Sequence, residues 1–151
     1  MIVQIAGTRL APFSIHHPEN ADNLAVIYGW LDHSKSVYIW NGVNDGQIIP
    51  HGDCTAQALH IKELAELGVK GYFAEGDTFP GTDMADLRVF LAARMTFDAT
   101  LDIDHLVAEF LENYCAYNVC LLCTLLTLVT QRYCLQMEEE QWLRRLGSTS
   151  S

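Results

Sequence analysis

The sequence predicts an α/β fold in which parallel strands alternate with helices and a helical extension follows. Short runs rich in β-branched and aromatic residues occur at 1–6, 36–40 and 69–74, and helical apolar spacing follows each run. Alternation of this kind favours a parallel sheet with right-handed crossovers. Three strands cannot close a barrel, so they form either a small open sheet or one segment of a larger fold.

Four helices are predicted from apolar spacing and from residues typical of helix ends. Asn20 can cap the first helix, whose apolar stripe comprises Leu24, Ile27, Tyr28 and Leu31. The second helix covers 55–67 and ends at Gly68, in the position typical of a C-terminal glycine. Asp83 can cap the third helix and Asp102 the fourth. The predicted order is therefore β-α-β-α-β-α-α.

Composition excludes some classes of partner. Half of the 151 residues are hydrophobic, which is enough to bury a core. The net charge of −10, with nine Lys plus Arg that do not cluster, argues against nucleic acid. It also disfavours anionic membranes and polyanionic substrates, although it says nothing against sugars, and local basic groups could still bind a carboxylate.

Cysteine usage and the first residues bear on the cellular compartment. Five cysteines, an odd number with four in the last third, do not form a small disulfide scaffold and indicate a reduced compartment. Residues 1–6 lack the basic region of a signal peptide, so the protein is intracellular or its parent is longer, and the localisation stays open. We expect no cofactor and no metal, because the Cys120-x-x-Cys123 pair lies in an apolar run and His16-His17 lies in a loop.

The last part of the chain, 115–151, differs in character from residues 1–114. It is almost entirely apolar at first, then charged, and ends in small polar residues. Its apolar centre, 119–129, is too short to cross a bilayer, which needs about 20 residues. We therefore predict a helical tail in which residues 115–130 mediate self-association or dock on a partner, and we do not expect a membrane span.

The first 114 residues contain motifs that resemble a known family. These are Tyr38, Trp40, Pro50, Gly68, Val69, Gly71, Phe73 and Gly76 around the second and third strands; Leu87, Arg88, Leu91, Arg94, Asp98, Asp102, Asp104, Phe110 and Tyr114 downstream; and Asn23, Gly29 and Trp30 upstream. Over roughly residues 8–114 the chain resembles the α-glucuronidase-like barrel family known as "domain of unknown function four-eight-three-eight". Residues 74–75, Ala-Glu, depart from the Glu-Gln of the family pattern, and the sequence after Tyr114 also departs from it.

The resemblance implies a partial (β/α)8 barrel of the TIM type, with about three βα units from the C-terminal part of the barrel domain. It relates the fold to α-glucuronidases and β-hexosaminidases, and it implies architecture more than chemistry. In the related barrels the acid residue usually comes from a middle strand that this chain lacks. We therefore expect a fragment that is inactive alone and works within a full-length parent.

Binding groups in a βα barrel lie where strands end. Sugar hydrolysis needs two carboxyl groups and benefits from aromatic stacking. Candidate catalytic residues are Glu75 and Asp77, and candidate saccharide-binding residues are Trp40, Asn41, Asp45, His51 and Arg9. Competing interpretations stay open, because Glu75 and Asp77 could cap a helix or solvate a turn, and Trp40 could be core.

Two functions from different classes follow. One is carbohydrate binding or O-glycosyl hydrolysis by the parent barrel. The other is a non-enzymatic carbohydrate-binding or assembly segment whose apolar helix docks on a partner.

Overall fold

A computed structural model describes residues 2–8, 10–42, 55–75 and 84–114. The chain divides into two compact units, Met1–Val107 and Ala108–Ser151. The elements, in chain order, are β1 Ile2–Thr8, a 3₁₀ turn Pro18–Asn20, α1 Ala21–His33, β2 Ser36–Gly42, α2 Ala56–Leu67, β3 Gly71–Glu75, α3 Ala85–Phe97 and α4 Ile103–Tyr114. The predicted order of strands and helices is confirmed.

The described part of the chain contains a three-stranded sheet in the order β1-β2-β3. Both neighbouring pairs are parallel, as the sequence predicts. The register aligns Ile5 with Ile39 and Ile39 with Tyr72, so these three residues share one face of the sheet. The fold is therefore a mixed α/β arrangement with a small parallel sheet.

One face of this sheet forms the hydrophobic core with α1 and α2. The core cluster comprises Ile5, Ile15, Ile27, Val37, Ile39, Leu64 and Val69, with Val3, Leu10, Leu24, Leu31, Leu67 and Tyr72 packed against it. Ile27 of α1 and Leu64 of α2 are almost completely buried, and so is Val37 of β2. Burying a side chain of this size contributes about 1.5–3 kcal/mol relative to leaving it exposed.

The opposite face of the sheet carries three aromatic side chains, Tyr38, Trp40 and Phe73, which we call the aromatic face. Tyr38 and Phe73 are 39% and 52% exposed, and Trp40 is half-buried. Ile2, which pairs with Ser36, is 73% exposed. This face is thus much more accessible than the core face.

The end of α2 and the start of α4 lie at the residues that the sequence predicts. Gly68 ends α2 in the left-handed region, with φ 98°, and its N–H donates to the carbonyl of Ala65. Asp102 caps α4, because its Oδ1 accepts a 2.8 Å hydrogen bond from the N–H of His105. Both predictions are confirmed.

Other details of the elements differ from the sequence-based expectation. Asn20 precedes α1 but makes no side-chain cap bond there, because its amide bonds to Ala11 and Ser14 instead. Tyr28, assigned to the apolar stripe of α1, is 45% exposed. Strand β3 begins at Gly71, two residues later than predicted, because the N–H of Val69 still bonds to α2.

Some predictions fall outside the described residues. Asp83, the expected cap of α3, is one of them, and Met84 occupies the N-cap position with φ 51°. The helical tail is described as far as Tyr114, and residues 115–130 lie beyond the described ranges. Among the described helices none is long and apolar enough to cross a membrane.

Candidate functional site

The carboxyl ends of the three strands meet at one edge of the sheet. Thr8 pairs with Asn41, and Asn41 pairs with Ala74, so the last residues of all three strands lie side by side. In parallel α/β folds the loops that leave this edge carry the ligand-binding groups. We therefore take this edge as the candidate site.

Trp40 lies next to this edge on the aromatic face. It pairs with Phe73 across β2 and β3, and the two rings meet edge to face with their centroids 5.2 Å apart. Because Val37 and Ile39 occupy the core face, alternation places Trp40 on the side away from the core cluster. Its half-buried indole is therefore placed where a ligand could stack.

Asn41 lies on the other face of β2 and is only 2% exposed. Its Oδ1 accepts a 3.2 Å hydrogen bond from the N–H of Leu10, and its Nδ2 donates a 2.8 Å bond to the hydroxyl of Tyr72. Both ends of the amide are thus engaged inside the protein. The structure gives Asn41 a role in joining the strands, on the face opposite Trp40.

Tyr72 and Thr8 extend this polar contact across the sheet. Burial raises the pKa of the Tyr72 hydroxyl to about 12, while side-chain hydrogen bonds with Asn41 and Gln57 lower it in part. Thr8 is 5% exposed, and its hydroxyl donates a 2.8 Å bond to the carbonyl of Trp40. Sequence reasoning missed Tyr72, Thr8 and Gln57, since their polar partners lie on other elements and leave no local pattern.

Glu75 is the last residue of β3, and its backbone pairs with Gly42 at the end of β2. The structure therefore brings position 75 to the same edge of the sheet as Trp40 and Asn41. The other candidates, Asp77, Asp45, His51 and Arg9, lie outside the described residues, and so does the side chain of Glu75.

The loop between β1 and α1, residues 10–20, starts from the same edge and is held by several side-chain hydrogen bonds. Asn20 is fully buried at its base. The Asn20 Oδ1 accepts from the N–H of Ala11 at 2.8 Å, and its Nδ2 donates to the carbonyls of Ala11 and Ser14. Such bonds fix a loop that would otherwise be mobile.

Helix α2 supplies two more side chains that hold this loop. Glu63 accepts from the hydroxyl of Ser14 at 2.6 Å and from the N–H of Ile15 at 2.7 Å. The Nε2 of His60, a buried residue, lies 2.6 Å from the carbonyl oxygen of Phe13. These bonds hold the loop of residues 10–20, which we call the first loop, in a fixed conformation beside the candidate site.

The two histidines singled out in this loop have different environments. His16 is exposed, whereas the ring of His17 stacks on Phe13 with a centroid distance of 4.3 Å. The Nδ1 of His17 accepts a 3.3 Å bond from the N–H of Glu19 at the start of the 3₁₀ turn. Across the described ranges, no three His, Cys, Asp or Glu side chains are grouped so that they could hold a metal ion.

Comparison with known protein families gives a match over most of the chain. The model of a family described as "Domain of unknown function (DUF4838)" matches residues 1–118. This range includes the whole sheet and all four described helices. Neither a curated protein nor a solved structure matches the chain significantly.

Proposed function

This chain belongs to the DUF4838 family, whose function is unknown, and we propose that it forms a saccharide-binding part of a (β/α)8-type barrel. The observation that carries this proposal is the contact between Trp40 and Phe73 on the aromatic face, directly beside the carboxyl edge of the sheet. Sugar rings bind through their apolar faces to exposed aromatic rings, and such rings beside polar strand ends are suited to that task.

The barrel part of the proposal is supported by the unequal faces of the sheet. Parallel sheets are almost always covered on both faces. Here α1 and α2 contribute to the core on one face, whereas Tyr38 and Phe73 stay 39% and 52% exposed on the other. In a complete barrel the aromatic face would line the interior, and its part near the carboxyl edge would border the binding pocket.

The chemistry proposed for the full-length parent is O-glycosyl hydrolysis. Glu75 and Asp77 are the proposed carboxyl groups, with Asp45, His51 and Arg9 as hydrogen-bonding groups on the sugar. Position 75 is the last residue of β3 and pairs with Gly42, which supports a place for it at the carboxyl edge beside the aromatic face. The main catalytic acid would come from another strand of the parent and act with one of these two carboxyl groups, so this chain alone binds without turnover.

A glycan array probed with the purified chain tests the proposal. We expect binding to at least one class of saccharide, and Trp40→Ala should weaken that binding at least tenfold because the stacking surface is removed. Trp30→Ala is the matched control, since Trp30 is 42% exposed on α1 and should not affect binding. Equal losses in both variants, or no glycan bound by the wild type, would overturn the proposal.

Glu75→Gln tests the carboxylate separately in the full-length parent. We expect saccharide binding or turnover to fall at least tenfold with the melting temperature within a few degrees, as for the loss of one charged hydrogen bond. Unchanged binding with a large loss of stability would instead assign Glu75 a structural role.

A second candidate function is a non-enzymatic assembly segment. Ile2, at 73% exposure, and Phe73 make the aromatic face suitable for packing against a protein partner. In this alternative residues 115–130 would add a second docking element. Light scattering over a range of concentrations, combined with the glycan array, separates the two, because an assembly segment should self-associate without binding any glycan.

A further inference from the structure

Four polar side chains connect the three strands and α2 at the carboxyl edge of the sheet, and we call them the edge network. Its members are Thr8, Asn41, Gln57 and Tyr72. Thr8, Asn41 and Gln57 are each less than 9% exposed, and burial accounts for the raised pKa of Tyr72. Polar groups at this depth cost free energy of desolvation, which must be offset by their hydrogen bonds to one another and to the backbone.

The two hydrogen bonds of the Asn41 side chain determine the orientation of its amide group. The N–H of Leu10 is a donor, so the Asn41 atom that faces it must be the acceptor Oδ1. The Nδ2 of Asn41 then faces the oxygen of Tyr72, 2.8 Å away. Asn41 therefore bridges the loop that follows β1 to Tyr72 of β3, with its amide in a single orientation.

The edge network also holds the peptide group between Trp40 and Asn41. The hydroxyl of Thr8 donates to the Trp40 carbonyl at 2.8 Å. The regular pairing of β1 with β2 shifts between Ile5 and Thr8, so this side-chain bond lies where the backbone ladder is irregular. The peptide group is thus fixed from the core face while the indole of Trp40 projects from the aromatic face.

We propose that Thr8, Asn41 and Tyr72 are positioning residues for Trp40, which hold its indole in the orientation that stacks on a saccharide. A β-strand near its end would otherwise fray, and the orientation of its last side chains would vary. The edge network prevents this fraying through its hydrogen bonds on the core face of the sheet. The saccharide part of this inference depends on the proposed function, whereas the orientation of Trp40 does not.

The test measures the order of Trp40 directly. The full chain is labelled with 5-fluorotryptophan after Trp30→Phe and Trp142→Phe have removed the other two tryptophans. We expect one sharp fluorine resonance for Trp40. Thr8→Val and Tyr72→Phe each remove one hydroxyl with little change of shape, and each should broaden or split that resonance.

Conservative variants and a distant control complete the experiment. Thr8→Ser keeps the hydroxyl, so its Trp40 resonance should stay sharp, in contrast to that of Thr8→Val. Thr96→Val removes an exposed hydroxyl that bonds to carbonyls within α3, and it should leave the resonance unchanged. Affinity for a saccharide identified on the glycan array should fall about tenfold in Thr8→Val and return in Thr8→Ser, a change equal to about 1.4 kcal/mol.

The outcomes separate the two proposals. A sharp, unshifted Trp40 resonance in both Thr8→Val and Tyr72→Phe overturns the positioning role, even if the variants melt at lower temperature. A disturbed resonance that Thr8→Ser restores supports the role, and it does so even when the wild-type chain binds no glycan. In that last case only the proposed function fails.

Discussion

The ring of Tyr38 lies against the Cα of Gly71, its register partner on the neighbouring strand. A β-carbon at position 71 would overlap two ring atoms of Tyr38. The absence of a side chain at Gly71 therefore lets the Tyr38 ring lie close to the backbone of β3. This contact extends the aromatic face toward the amino ends of the strands.

Gly71→Ala should destabilise the protein by about 1 kcal/mol, because the methyl group displaces the Tyr38 ring from its site. In a Tyr38→Ala background the same substitution should be neutral or stabilising, since alanine restricts the unfolded chain more than glycine does. Urea denaturation of the four proteins measures the coupling. Gly29→Ala is the control, because a β-carbon there meets no atom within 4 Å, and it should stabilise α1. Additive effects at positions 38 and 71 would contradict the contact.

Gly68→Ala should destabilise the protein by about 1 kcal/mol for a different reason. Gly68 has φ 98°, a region that residues with a β-carbon avoid, although space around it is open. Gly68→Asn should cost less, because asparagine tolerates the left-handed region better than alanine. Thermal or urea unfolding provides the measurement. Equal stabilities of the alanine and asparagine variants would show that backbone strain is not the cause.

The Tyr72 hydroxyl should make stability depend on alkaline pH. Its pKa is raised from 10.0 to about 12 in the folded protein, so the native state favours the neutral phenol. The buried neutral phenol therefore contributes to the free energy of unfolding, on the order of 2–3 kcal/mol in total. This contribution is complete below about pH 10 and is lost as the pH rises through 12. Tyr72→Phe should remove this component of the pH dependence.

Absorbance at 295 nm checks the same shift directly. The difference between the titrations of the wild type and of Tyr72→Phe isolates one phenol. Its midpoint should lie near 12 while the protein stays folded. A midpoint near 10 would mean that Tyr72 is not desolvated as the structure indicates.

Asn20→Ala should destabilise the protein by about 2–4 kcal/mol, since it leaves the N–H of Ala11 and the carbonyl of Ser14 without their side-chain partner. The first loop should then be cut more readily by proteases. Asn113→Ala removes an exposed bond to the carbonyl of Glu109 and serves as the control, with an effect below about 0.5 kcal/mol. Similar effects of both substitutions would contradict the proposed role of Asn20 in holding the loop.

The sequence by itself determined the strand-helix order, the parallel pairing, the end of α2 at Gly68 and the cap at Asp102. The parallel pairing follows from the strand-helix order. The other features depend on interactions within a few residues: periodic burial, the φ angle of one glycine, and a carboxylate three residues from the N–H it binds. Local patterns of this kind can be recognised in one chain without knowledge of the tertiary structure.

The roles of Asn20 and Asn41 were decided only by the tertiary structure. Asn20 had the sequence position of a helix cap, yet its partners are Ala11 and Ser14 in the preceding loop. Asn41 was a candidate ligand for a sugar, yet its amide bonds to Tyr72, 31 residues away. An asparagine can serve all of these purposes, so its type does not select the partner.

The face on which Trp40 lies was also decided by tertiary structure, for a clear physical reason. From Val37 to Trp40 every residue of β2 is apolar, so hydrophobic alternation gives no sign of which side faces the core. Packing of α1 and α2 against Val37 and Ile39 settles the choice, because successive side chains of a strand point to opposite faces. Trp40 therefore lies on the aromatic face.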